Sequence, residues 1–179
     1  MTPTLVLDTR DQATTMTVTT TTVVETLIKV TEEVFQTMVF RQLAHKVPIE
    51  GDALRPNSNV VGTVGFAGSS NGLVAFYSTL DAARNIASAM LGMPENEIER
   101  DGLADAIGEI TNMIAGSFRT HMAANGDAWA ITVPTVTIGS DFYIKPLTNG
   151  HRVLIPFGME SHEVFVELIL TEPPRRSPA

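Results

Sequence analysis

A chain of 179 residues, 44 % hydrophobic and 18 % charged, has the length and mix of one globular domain with its own core. Its formal net charge of −8 argues against nucleic acid or an anionic membrane as partner, because both call for a basic surface. It has no cysteine, which excludes disulfides, thiolate metal sites and cysteine nucleophiles.

The chain opens on "MTPTLVLDTRDQATT", which lacks the basic-then-apolar pattern of a signal peptide. No apolar run reaches the roughly 20 residues that span a bilayer, so the cytoplasm is the expected location. Residues 1–22 include the low-complexity tract "TTMTVTTTT" and read as a flexible tail rather than an added strand. The spacing of Leu27, Val30, Val34 and Met38 predicts a first helix from about Val23 to Ala44. "KVPIEGDALRPNS" then reads as a loop, punctuated by Pro48, Gly51 and Pro56.

"NVVGTVGFAG" and "NGLVAFYS" are strand-like runs separated by the turn residues Ser69 to Gly72. "TLDAARNIASAMLG" is a short helix, started by Thr79 or Asp81 and ended by Gly92 and Pro94. A longer helix is predicted from about Glu97 to Ala124. "AWAITVPTVTIG", "FYIKPL", "HRVLIPFG" and "EVFVELIL" follow as strands, with Pro134 and Pro156 expected at a strand edge, end or bulge. "EPPRRSPA", residues 172–179, reads as a second tail. The domain is thus residues 23–171. A weak echo runs through it: each long helix precedes a strand-turn-strand pair, and "EVFQTMVF" from Glu33 can be laid on "EITNMIAG" from Glu109. The expected fold class is α/β, with a mixed or mainly antiparallel sheet, two long helices and one shorter helix, and the echo points to an internal pseudo-repeat.

The longer helix contains "DAIGEITNMIAGSFR". Asp105, Glu109 and Asn112 follow one another at spacings of four and three. They therefore share one stripe, with Glu109 and Asn112 about 60° apart. A solvated polar face explains such a stripe. So does a set of groups for gripping a cation and orienting water, since an amide both donates and accepts. Gly108 and Gly116 interrupt the same helix at about 1 kcal/mol each against alanine, which hints at close approach by another backbone.

The run from Asp105 to Asn112, followed by Pro134, resembles the signature of the CheC/CheX/FliY chemotaxis phosphatases. "AIGEITNMIAG", "AITVPTVTIG", "AMLG" and "GFAGSSNGLVAF" match in order and spacing, so the resemblance covers about residues 23–171. It implies a CheC/CheX-like domain that removes phosphate from the aspartyl phosphate of a CheY-like receiver, in chemotaxis or related two-component signalling. By position, Asn112 orients the attacking water and Glu109 pairs with the receiver's lysine. Asp105 stands at the family's acidic-or-serine position, and Pro134 supports the neighbouring strand and helix. No cofactor is implied for this chain, because Mg²⁺ is expected on the receiver. A homodimer is implied as well. The first helix offers Glu33 and Gln36 as a degraded second site, so the single-site CheX type is the better match. The alternative is a non-catalytic adaptor of the same fold, binding a receiver or a flagellar or chemotaxis protein.

Other motifs carry less. "GSSNG" fits the serine-hydrolase elbow, but lies between two strands rather than before a helix. His45, His121, His151 and His162 lack metal-ligand spacing. Met90, Met93, Met113 and Met122 read as core filler and Trp129 as a strand anchor.

Overall fold

The computed structural model describes residues 20–51, 56–68, 71–123, 129–140 and 150–171. In chain order these form α1 (Thr20–Val34), β1 (Ala44–His45), β2 (Ile49–Glu50), β3 (Val60–Ala67), β4 (Asn71–Ser78) and α2 (Leu80–Leu91). Then come α3 (Arg100–Met122), β5 (Ala130–Ile131), β6 (Thr135–Ile138), β7 (His151–Met159) and β8 (His162–Thr171). Most of the threonine-rich tract, "DFYIKPL" and the proline-rich end lie outside the described residues.

α1 differs most from expectation. It already includes Thr20, Thr21 and Thr22, and it stops at Val34 rather than running to Ala44. A single wider turn, Phe35–Val39, follows, and the chain leaves it through Phe40 in the left-handed region at φ 56°. The amides of Phe40 and Arg41 both reach the carbonyl of Phe35. The helix is thus closed by a residue that helix-stop signals do not include. The expected loop after it also holds structure, because β1 and β2 both pair with β7.

The other helices follow local chemistry. Thr79, not Asp81, caps α2: its hydroxyl accepts from the amide of Ala82 at 3.2 Å. Gly92 closes α2 at φ 65°, its N–H on the carbonyl of Ser88. α3 is slightly shorter than expected at both ends, and Glu95–Glu97 form a separate tight turn before it.

Every strand pair is antiparallel, and the sheet order is β1–β7–β8–β4–β3–β5. β2 joins β1 along β7, and β6 joins β5 along β3. The hairpins β3–β4 and β7–β8 therefore meet at the centre, where Phe76 of β4 faces Val166 of β8. Each long helix precedes one hairpin, so the echo in the sequence corresponds to two related halves about the β4–β8 pair. "GSSNG" falls where β3 gives way to its antiparallel partner β4, so a strand rather than a helix follows it. Pro134 breaks β5 from β6. Pro156 lies inside β7, and its carbonyl accepts from Lys46. Its missing N–H points to the same side, the edge where β1 ends, so the pairing of β7 with β8 is untouched.

The helices cover one face of the sheet. Leu27, Val30 and Phe35 of the first helical segment pack in one core with Ile107, Ile110, Ile114 and Phe118 of α3 and with Val64, Phe76, Phe157 and Val166 of the sheet. Met90 and Met113 pack against this core, whereas Met93 is exposed rather than core. Trp129 stacks on Phe66 at 5.1 Å and meets Phe118 edge-on, anchoring the entry to β5.

The opposite face holds Val61, Ala75, Tyr77 and Leu154 and one buried polar group. The carboxylate of Glu167 is fully buried, accepts from the Tyr77 hydroxyl at 2.5 Å and is paired with Arg152. Burial first, and the charge of Glu167 second, hold the Tyr77 hydroxyl well above its ordinary value of 10.0. A folded value above the unfolded one means stability is full below about pH 10 and falls as pH rises beyond it. Urea midpoints measured from pH 8 to 11.5 should therefore decline above pH 10. The decline should be shallower in Tyr77→Phe, and an equal slope in both proteins would remove Tyr77 as its source.

Candidate functional site

α3 has one face in the core and one outside. Leu103, Ala106, Ile107, Ile110, Thr111 and Ile114 are buried, whereas Asp105 and Glu109 are exposed and Asn112 is half-buried. Leu, Ile and Ala at helical spacing set this division, and the three polar residues fall on the stripe left over. Glu109 and Asn112 stand about 60° apart and about 4.5 Å along the axis; Asp105 is one turn earlier. All three predicted α3 residues thus come together on one outward stripe.

Pro134 reaches the same helix from the edge of the sheet. A Cβ built on Gly108 would lie 3.5 Å from Val136 and 3.7 Å from Pro134, ordinary contact distances. The β5–β6 edge thus rests against α3 at Gly108, beside Glu109, with room for a Cβ there. The tight approach expected at the helix glycines lies elsewhere: a Cβ on Gly62 of β3 would be 2.1 Å from the hydroxyl of Thr111. Thr111 is buried, and its hydroxyl donates to the carbonyl of Ile107 at 2.7 Å. Gly116 meets nothing within 4 Å, so its cost is uncompensated. Gly116→Ala should raise stability by about 1 kcal/mol, seen as a higher thermal midpoint. No rise would mean that the space beside Gly116 is used.

The two related halves can be aligned by burial. Val23, Leu27, Val30, Thr31 and Val34 of α1 repeat Leu103, Ile107, Ile110, Thr111 and Ile114 of α3 as buried positions. Thr31 donates to the carbonyl of Leu27, as Thr111 does to Ile107. This phase pairs Asp105 with Glu25, Glu109 with Lys29 and Asn112 with Glu32. It does not pair Glu109 and Asn112 with Glu33 and Gln36, as the match of letters does; Gln36 lies in the wider turn beyond α1. Lys29 forms an ion pair with Glu33 at 3.7 Å, and Glu32 contacts His45 of the edge at 2.9 Å. Ile28 stands where α3 has Gly108. A groove of about 720 Å³ lies there, with Ile28, Lys46 and Pro48 among its walls.

Among the described residues, no group of three or more His, Cys, Asp or Glu side chains could hold a metal ion, and no helix is long and apolar enough to cross a membrane. The site is a row of polar side chains on the outward face of a helix backed by a sheet. A family model described as chemotaxis phosphatase CheX matches residues 60–158, which hold β3 to β7 with α3 between them. The chain belongs to that family. It is 32 % identical over 108 residues to the CheY-P phosphatase CheX of Thermotoga maritima, covering 60 % of this chain and 68 % of that one. It also resembles the crystal structure of a chemotaxis protein CheX from Desulfovibrio desulfuricans, at 28 % identity and a TM-score of 0.74 over 83 % of this chain and 98 % of the other. A CheX–CheY–BeF3–Mg²⁺ complex from Borrelia burgdorferi shares the fold at 22 % identity and a TM-score of 0.72, covering 83 % of this chain and 97 % of that one.

Proposed function

We propose that the chain is a protein-aspartyl-phosphate phosphatase acting on a phosphorylated CheY-like receiver domain. The observation that carries this reading is the outward stripe of Asp105, Glu109 and Asn112 on α3, beside Pro134, in a member of the chemotaxis phosphatase family. The curated relative named as a CheY-P phosphatase supports it, as does the complex of a structural neighbour with CheY.

In the reaction, a water oxygen bonds to phosphorus while the bond from phosphorus to the aspartyl oxygen breaks. Inorganic phosphate leaves, and the receiver regains its carboxylate. Such a transfer depends on placing the nucleophile in line and on neutralising charge at the phosphoryl oxygens. The receiver's own Mg²⁺ and lysine supply the charge. Asn112 holds the water: its amide accepts from and donates to it, and its neutrality avoids repulsion from the phosphoryl group. Glu109 pairs with the receiver's lysine and so fixes the docking angle. Asp105 extends the acidic stripe by one turn, and Pro134 keeps the edge strand seated on α3 at Gly108.

α1 contributes no second site in this reading. Lys29 replaces Glu109 there and meets the receiver's lysine with like charge. The test is phosphate release from phosphorylated receiver domains of the same organism. Release should speed up in proportion to added chain. Binding without acceleration would leave the chain an adaptor.

The chain further acts as a homodimer in this proposal. Among the described residues, its sheet ends in the short strands β1 and β2 on one side and β5 and β6 on the other, which leave backbone groups for another copy. Light scattering at micromolar concentration should give about twice 19.3 kDa, and the single-chain mass would rule this out.

A further inference from the structure

A second feature stands apart from the outward stripe. A cleft of about 440 Å³ opens where the starts of α2 and α3 meet the end of β6. Leu80, Ile98, Leu103 and Ile138 give it an apolar lining, with Ile98 and Leu103 buried. Its charged walls are Arg84 and Arg100; among the described residues, no Asp or Glu lines it. In a chain with 12 Lys and Arg against 20 Asp and Glu, that is a local reversal of the overall charge.

The two guanidinium groups differ in setting. Arg100 donates from Nη2 to the carbonyl of Ile138 at 3.0 Å, which holds its fork at the cleft while leaving further N–H groups. Arg84 makes no ion pair or hydrogen bond with any described residue. The first residues of α2 and α3, Leu80 and Arg100, both border the cleft, and the acids of their first turns, Asp81 and Asp101, do not line it. The volume falls within the range of small-ligand sites, which combine an apolar wall with a few placed polar groups.

We propose that this cleft binds a small amphipathic anion: a carboxylate or sulfonate on an apolar body. The anionic group lies between Arg84 and Arg100, and the apolar body rests on Ile98, Leu103 and Ile138. A bare inorganic anion would leave the apolar wall unused. A neutral hydrocarbon would leave both guanidinium groups without a counter-charge. The proposal does not depend on the phosphatase reading, because none of its residues belongs to the Asp105–Glu109–Asn112 stripe.

The probe is 1-anilinonaphthalene-8-sulfonate, followed by fluorescence on the intact chain. It should bind, and Arg84→Gln/Arg100→Gln should weaken it by at least about tenfold, the loss of charge-assisted hydrogen bonds. Val47→Asp, in the separate groove beside α1, should leave the affinity unchanged. Decanoate should displace the dye, whereas decanol and sulfate should not, since each lacks one half of the required chemistry. Circular dichroism confirms that each variant is folded. Equal dye affinity in the double arginine variant, loss of binding in Val47→Asp, or displacement by decanol as effective as by decanoate would each overturn the assignment. Absence of binding by both dye and decanoate would overturn it too.

Discussion

Asn112→Ala should remove most of the acceleration of receiver dephosphorylation, about 10²-fold, while fold and receiver binding persist. The magnitude follows from the proposed role in holding water, since a water displaced by about 1 Å from the in-line position loses about that factor. The persistence follows from position. Asn112 lies on the outward stripe of α3, and truncation there leaves Ile110, Thr111 and Ile114 in the core untouched. Surface truncations of this kind change stability by less than about 0.5 kcal/mol. Glu109→Ala should differ in kind, lowering both affinity and rate, because in the proposed complex the lost group pairs with the partner's charge. Gln36→Ala should change neither. Rates over a range of chain concentrations separate the two effects, with circular dichroism on each variant. Near wild-type turnover by Asn112→Ala would end the water-orienting role.

Arg152→Met should lower stability by about 3–5 kcal/mol, more than any change on the outward stripe. Glu167 is wholly buried between β4 and β7, and Arg152 and Tyr77 hold its two oxygens. Removing the cation leaves a carboxylate in an apolar layer beside Ala75 and Leu154, and an uncompensated buried charge is costly. Removing both charges is a different matter. Arg152→Met/Glu167→Leu should recover much of the loss, because well-packed apolar residues often replace a buried pair without penalty. Urea unfolding of the two single variants and the double variant gives the coupling directly. A loss below about 1 kcal/mol in Arg152→Met would show that Glu167 is served well enough without it.

Much of this architecture is legible in the residues, wherever local chemistry decides. Thr79 and Gly92 bound α2, the alternating runs mark the β3–β4 and β7–β8 hairpins, and the spacing of Asp105, Glu109 and Asn112 puts them on one stripe. The failures lie where distant parts of the chain decide. Nothing near Val34 announces a helix end, and the chain turns there through Phe40, an exposed aromatic in a left-handed conformation. β1 and β2 are two residues long and owe their existence to β7, about a hundred positions away. The phase of the internal repeat is hidden for the same reason. Glu33 resembles Glu109 in letter, but burial, which the sheet imposes, places Lys29 at the matching position. The pairing of Tyr77, Glu167 and Arg152 requires the sheet order, which no local pattern contains.

The contact between Gly62 and Thr111 sets how α3 is turned about its own axis. Thr111 lies between Glu109 and Asn112 in the chain, and its side chain fits where β3 has no side chain at all. A helix is a rod, and a greasy rod on a greasy sheet can roll. This notch stops the roll at a residue that lies between Glu109 and Asn112 on the chain. A bulkier residue at position 62 would lift or rotate the rod, and each 100° of rotation moves the outward stripe by one residue. Asn112 would then leave the outward stripe with every atom of its own side chain intact. The aim of the site is therefore decided on the strand beneath it, by an absence, at a position that no reading confined to the helix would select.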